Sequence, residues 1–164
     1  MFLNSFDISG YGLSAQRFRI ETISSNIANA QTTRTDEGGP YRRRSVVFKA
    51  IDFDAHLNRQ IEKNALFHTY ENPLDEAIGL NKWAKPPIMS VVVDKVVRDD
   101  KGVKMKYDPS HPDANKDGYV AYPNINPVVE MSDLIEATRS YQANAAAFQS
   151  AKGMAINAIE MLRA

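Results

Sequence analysis

Both ends of this 164-residue chain repeat an apolar residue every seven positions. Near the start the repeat is Phe6, Leu13, Ile20 and Ile27, with Ile23 and Ala30 three residues after the last two. Near the end it is Leu134, Tyr141, Phe148, Ala155 and Leu162, with Met131, Thr138, Ala145, Lys152 and Ile159 as the second position. A seven-residue apolar repeat is the signature of helices that pack along a seam. The spacing therefore predicts two terminal helices that meet across the length of the chain.

Charge divides the chain the same way. Of 40 charged residues, 29 lie between Arg34 and Asp117. Charge marks solvated surface, so the middle faces water and the ends are built for contact. The formal net charge is zero, which removes the usual argument for binding nucleic acid or an anionic membrane. There is no cysteine, hence no disulfide framework and no thiol chemistry. No secretory signal is recognisable at Met1–Phe18, and no apolar run reaches the roughly 18 residues needed to span a bilayer.

The first helix is expected over Leu13–Ala30, because Gly10 and Gly12 each weaken a helix by about 1 kcal/mol against alanine. Gly38, Gly39 and Pro40 forbid its continuation. Residues 42–50 read as a strand, and 51–87 as a loop or small insertion. A hairpin is expected next, with Val91–Val97 turning at Asp99–Gly102 into Val103–Tyr107, followed by a short strand at Tyr119–Tyr122. The last helix starts with Asn126 as cap and Pro127 at its first position. About 35 residues at 1.5 Å each give it a length near 50 Å. In its last turns Met154, Ala155, Ile156, Ala158, Ile159, Met161 and Leu162 do not keep to one face. A helix apolar all round is covered on several sides. One partner helix covers one side, so other chains must cover the rest.

Chemistry-bearing motifs are few. Asp113–Gly118, "DANKDG", fits the first half of a calcium loop, but the twelfth position, which needs a bidentate Glu, is Asn124. A turn set by Asp, Asn and Gly accounts for the same residues. His56, His68 and His111 lack ligand spacing. Arg42, Arg43 and Arg44 sit among acidic residues with no interleaved aromatics, which favours a solvated or interface strand over a nucleic-acid site. No set of acid, base and nucleophile is visible, so no enzyme and no cofactor are expected. The stripe in "ISSNIANAQTT" (Ile23–Thr33) has two readings. Ser and Asn are common at a fraying helix end. Asn26 and Asn29 could also be interhelical hydrogen-bonding groups that select one register, with Asn144 as a partner.

These residues resemble a family. The S-N-x-x-N-x-x-T pattern of Ser25, Asn26, Asn29 and Thr32 is similar to the signature shared by flagellar rod and hook proteins. The G-Y-V-x-Y-P-N stretch, Gly118–Asn124, resembles the proximal-rod branch. So does the following helix, with Glu130, Met131, Glu136, Ala137, Arg139, Tyr141, Ala143 and Asn144. The resemblance covers about residues 3–50 and 88–162.

It implies an α+β fold: long N- and C-terminal helices form a coiled-coil-like core element, with a small β-rich middle region. The helical core is expected from 1–35 and 126–164, and the charged β-rich part from 36–125 with an insertion at about 51–87. It implies a structural component of the flagellar basal-body proximal rod that assembles through its terminal helices into a hollow, torque-transmitting shaft spanning the periplasm. The implied partners are other rod proteins, copies of this chain and, during secretion without a cleaved signal peptide, the flagellar type III export apparatus. Neither nucleic acid nor membrane insertion is implied. The residues expected at the assembly interface are Leu13, Ile20, Ile23, Ser25, Asn26, Ile27, Asn29 and Thr32, with Met131, Leu134, Arg139, Tyr141, Asn144, Phe148, Ala155, Ile159 and Leu162. Two competing readings are a calcium-binding module on Asp113, Asn115 and Asp117, and a coiled-coil adaptor of another complex.

Overall fold

The computed structural model describes residues 2–52, 89–99 and 102–163. Helix α1 (Phe2–Ala28) opens the chain and helix α2 (Pro127–Arg163) closes it. Between them lie four strands: β1 (Arg44–Asp52), β2 (Met89–Arg98), β3 (Val103–Tyr107) and β4 (Tyr119–Pro123). This is an α+β chain with its helices at the termini and its strands in the middle.

The two helices pack antiparallel, and three contacts mark the register. Phe6 meets Phe148 edge to face at 5.1 Å. Arg19 reaches Glu136 at 3.6 Å. Asn26 donates to Glu130 at 3.1 Å. Helix α1 begins well before Leu13, where glycine penalties alone would have delayed it. Packing explains the difference. Phe6 gains an aromatic partner, and Gly12 lies against the side chain of Asn144. Tertiary burial of this kind outweighs about 1 kcal/mol of propensity.

The seam on α2 is also shifted by one residue. Glu130, Ala137 and Ala151 are buried, while Met131 and Ile159 are exposed. The first heptad position was placed correctly at Leu134 and Phe148; its companion lies three residues later rather than four. Alanine at the seam brings two helices close, and the apolar side chains one position away point outward.

The expected hairpin between Val91 and Tyr107 does not form. Strand β2 pairs antiparallel with β1, from Arg44 opposite Arg98 to Asp52 opposite Met89. Strand β3 pairs with β4 instead, from Val103 opposite Pro123 to Tyr107 opposite Tyr119. The stretch between β2 and β3 therefore joins two separate ribbons. The longer β1 ladder outcompetes a five-residue return, and it gives Val96 a β-branched partner in Val46. A bulge at Val47/Phe48 leaves Asp94 unpaired in the register. Most of the expected insertion at 51–87 lies outside the described residues; Ile51 and Asp52 end β1.

The "DANKDG" segment is a turn. Asn115 Oδ1 accepts the backbone N–H groups of Asp117 at 3.0 Å and Tyr119 at 2.8 Å. Asp113 accepts the Thr33 hydroxyl at 2.8 Å, tying the turn to the chain just after α1. Two of the oxygens that a calcium ion would need, Asn115 Oδ1 and Asp113 Oδ2, are bonded within the protein. Gly118 closes the turn with φ of 78°, a conformation that a side chain resists.

Apolar burial is thin. Among the described residues the buried apolar side chains are Ala15, Ile23, Tyr41, Val120, Ile125, Ala137 and Ala151. Each alanine forgoes part of the roughly 1.5–3 kcal/mol that a large buried side chain would contribute.

Candidate assembly surface and the joint behind it

Ile23 and Asn26 face inward. Asn26 is 1% exposed, and its carboxamide is fully engaged. Its Nδ2 donates to the carbonyl of Arg44 at 2.8 Å and to Glu130 Oε2 at 3.1 Å. Its Oδ1 accepts the backbone N–H of Arg44 at 3.0 Å and the Tyr41 hydroxyl at 3.2 Å. The amide thus pairs with both backbone groups of one residue, as a neighbouring strand would. That grip orients the start of β1. Asn26 does bond across to α2 as expected of an interhelical group, but to Glu130; the proposed partner Asn144 lies beside Gly12.

The rest of the Ser-Asn-Asn-Thr signature shapes the exit from α1. Asn29 Nδ2 donates to the Ser25 carbonyl at 2.9 Å, and the Thr32 hydroxyl donates to Asn29 Oδ1 at 3.2 Å. Ser25 Oγ meets the Tyr41 hydroxyl at 3.2 Å, and the Tyr41 N–H donates to the Thr32 carbonyl at 3.1 Å. Polar side chains here replace the hydrogen bonds that the helix end leaves open. The stripe is a folded junction.

Glu130 is the residue that sequence reading quoted but gave no role. It is 1% exposed and lies in the first turn of α2, where a carboxylate is favoured by the helix dipole. Arg43 Nε donates to its Oε1 at 2.7 Å, and Arg43 also approaches Asp133 at 3.9 Å. A buried carboxylate is tolerated because it is paired; removing one partner of such a pair costs about 3–5 kcal/mol when both are dry. Arg43 is about one-third exposed, so the low end applies. The acidic residues around Arg42–Arg44 suggest a solvated or interface strand, without singling out Glu130 as the partner of Arg43. The signal that could have found the pair is the Glu itself: a carboxylate at the fourth position after Asn126 in a run that is otherwise apolar.

The remaining expected interface residues fall in two groups. Leu13, Ile20, Ile27, Leu134, Asn144, Phe148 and Ala155 are half-buried along the helix pair. Met131, Arg139, Tyr141, Ile159 and Leu162 are exposed. The exposed group grows denser toward the C-terminus, where Met154, Ile156, Ile159, Met161 and Leu162 are all open to solvent, Leu162 at 87%. The antiparallel register explains why. With Phe6 opposite Phe148, the start of α1 falls beside about residue 153, so roughly ten residues of α2, about 15 Å, run past it. At the other end Val128, Val129, Met131 and Ile135 form a second exposed apolar strip. Clustered exposed apolar side chains mark places where proteins meet. Among the described residues no helix is long and apolar enough to cross a membrane.

A thin-cored antiparallel helix pair with an uncovered apolar end and small β-ribbons between its helices is the make-up of a structural subunit that is completed by neighbours. Comparison with known proteins names the class. Residues 6–34 match the family described as "Flagella basal body rod protein", and residues 116–161 match "Flagellar basal body rod FlgEFG protein C-terminal". The chain is 39% identical to the flagellar basal-body rod protein FlgC of Borreliella burgdorferi, over 98% of this chain and 97% of that one. It is 37% identical to FlgC of Bacillus subtilis, over 96% of each. It is 35% identical to FlgC of Aquifex aeolicus, over 91% of this chain and 88% of the other. The chain belongs to the FlgC family of flagellar basal-body rod proteins.

Proposed function

We propose that this chain is a structural component of the proximal rod of the bacterial flagellum, assembling through its terminal helices into a hollow shaft that transmits torque. The observation that carries the reading is the apolar end of α2, which overruns α1 and has Met161 and Leu162 at 76% and 87% exposure. A lone molecule gains nothing from that surface; a packed array of helices does. Head-to-tail repetition of similar subunits gives a tube, and stability then depends on association.

The division of labour follows the same line. Residues 1–35 and 126–164 form the helical core of the assembly, and residues 36–125 form its β-rich outer part. The partners are other rod proteins and copies of this chain. The thin core suits passage through the flagellar type III export apparatus as an unfolded chain, without a cleaved signal peptide, to a rod that spans the periplasm. The role is mechanical, with no catalytic step and no cofactor.

Complementation tests this. A strain lacking its own FlgC is given this chain, intact or without residues 154–164. The intact chain is expected to restore rods and motility, and the shortened one to restore neither. A motile strain carrying the shortened chain would end the reading.

A further inference from the structure

We infer that Glu130 is a positioning residue: with Asn26 and Arg43 it forms a joint that sets the angle at which the β1–β2 ribbon stands on the helix pair. Three elements converge on four residues of chain. Asn26 of α1 holds Arg44 at both its N–H and its C=O, at 3.0 and 2.8 Å, which fixes the direction of the strand as well as its position. Glu130 of α2 receives Nδ2 of that same Asn26 on one oxygen and Arg43 Nε on the other, at 3.1 and 2.7 Å. The Tyr41 hydroxyl donates to Asn26 Oδ1, and the Asp99 N–H donates to the Arg43 carbonyl at 2.9 Å, which links the far end of β2 to the same point.

The packing around the joint gives Glu130 its weight. Both β1 and β2 lie against α1. Helix α2 reaches the ribbon through the carboxylates of Glu130 and Asp133, both directed at Arg43. Apolar packing on α1 holds the ribbon down but leaves rotation open, because such contacts are not directional. Hydrogen bonds to charged groups are directional and strong. A carboxylate on α2 that bonds Asn26 of α1 on one side and Arg43, the residue just before β1, on the other is satisfied only when the helices are in register and the start of β1 is docked. Helix pairing and ribbon docking are therefore one step, and Glu130 couples them. The consequence for a rotating shaft, that twist in the helical core is carried to the outer part through Arg43, rests on the function proposed above; the joint itself does not.

Hydrogen exchange on the purified full-length chain tests the joint. Asn26→Asp keeps the shape of the side chain but removes its donor and sets a second carboxylate beside Glu130. It is expected to speed exchange of the Ser45 and Val47 amides, which by strand alternation face β2, at least tenfold. Glu130→Gln added to it supplies a donor in place of the repulsion, and the double variant is expected to recover at least half of that change on a logarithmic scale. Arg43→Gln, at a partly exposed position, cuts the link to α2 alone and is expected to speed the same amides at least threefold while amides of α1 near Gly12 change less than twofold. A double variant no slower than Asn26→Asp would overturn the inference. So would unchanged β1 exchange in Arg43→Gln, which decides the matter should Asn26→Asp unfold. The measurement needs no rod, so failure of the joint and failure of the rod reading are distinct results.

Discussion

Gly12 of α1 lies flat against the carboxamide of Asn144 of α2: a Cβ at position 12 would stand 3.1 Å from Cγ, Nδ2 and Oδ1 of Asn144. Glycine inside a helix ordinarily costs about 1 kcal/mol against alanine. Here it permits the close approach. Gly12→Ala is predicted to be near neutral, its gain in propensity offset by the tight contact. Gly12→Leu overfills the seam and is predicted to destabilise by about 1–3 kcal/mol. Urea unfolding of the purified chain decides; a leucine variant as stable as the parent contradicts the packing.

Gly118 is constrained in a different way. Its φ is 78°, and an added Cβ would lie 2.9 Å from the ring of Tyr107. Gly118→Ala therefore meets both backbone strain and a clash, and a loss of about 1–3 kcal/mol is predicted. Gly38, at φ of 87°, has open space around it. Gly38→Ala meets strain alone, about 1 kcal/mol. Comparing the two unfolding midpoints separates the contributions, and the reverse ranking would refute the account.

The end of α2 separates folding from association. Leu162 is exposed, so Leu162→Asp is predicted to change monomer stability by less than about 0.5 kcal/mol. It is predicted to abolish rod assembly, read by motility and by electron microscopy of basal bodies. Ala151 is buried, and Ala151→Asp leaves a charge between the helices at a cost of several kcal/mol. If Leu162→Asp assembles normally, the overhang is not an assembly surface.

Acid releases one surface clamp. Arg98 donates to both carboxylate oxygens of Glu37, at 2.8 and 3.4 Å. These hydrogen bonds, and the charge of Arg98 behind them, hold the Glu37 carboxyl below its ordinary 4.5. A depressed carboxylate adds stability above its unfolded value, and that contribution is lost as pH falls through the folded one. Glu37 is solvent-exposed, so the effect on global stability is small. The prediction is local: an NMR titration of Glu37 has its midpoint below 4.5, and Arg98→Ala raises it toward that value. An unmoved midpoint in the variant would show that the ion pair is not the cause.

Much of the architecture was legible from local pattern. The heptads at each end announced two helices, Asn126 and Pro127 located the start of the second, and the "DANKDG" residues announced a turn. Asn126 Oδ1 indeed accepts the Val128 N–H at 3.1 Å. These features rest on interactions within a few residues of one another. Strand pairing does not. Val91–Val97 and Val103–Tyr107 looked like a hairpin because they are neighbours in sequence, and nothing local reveals that each has a better partner elsewhere.

The same divide runs through the candidate site. The sequence left two readings open for Asn26 and Asn29, a fraying helix end or interhelical hydrogen bonding; in the structure Asn29 bonds locally to Ser25 and Thr32, and Asn26 alone reaches the other helix. Asn26 meets Glu130 across 104 positions of sequence. Periodicity and composition determined that the ends of this chain are helices and that strands lie between them in the described residues. Tertiary structure alone decided which apolar residues the two helices hide from each other and which they leave exposed, because moving one of the two seam positions by a residue turns a neighbouring stripe of the helix inward without altering its seven-residue repeat.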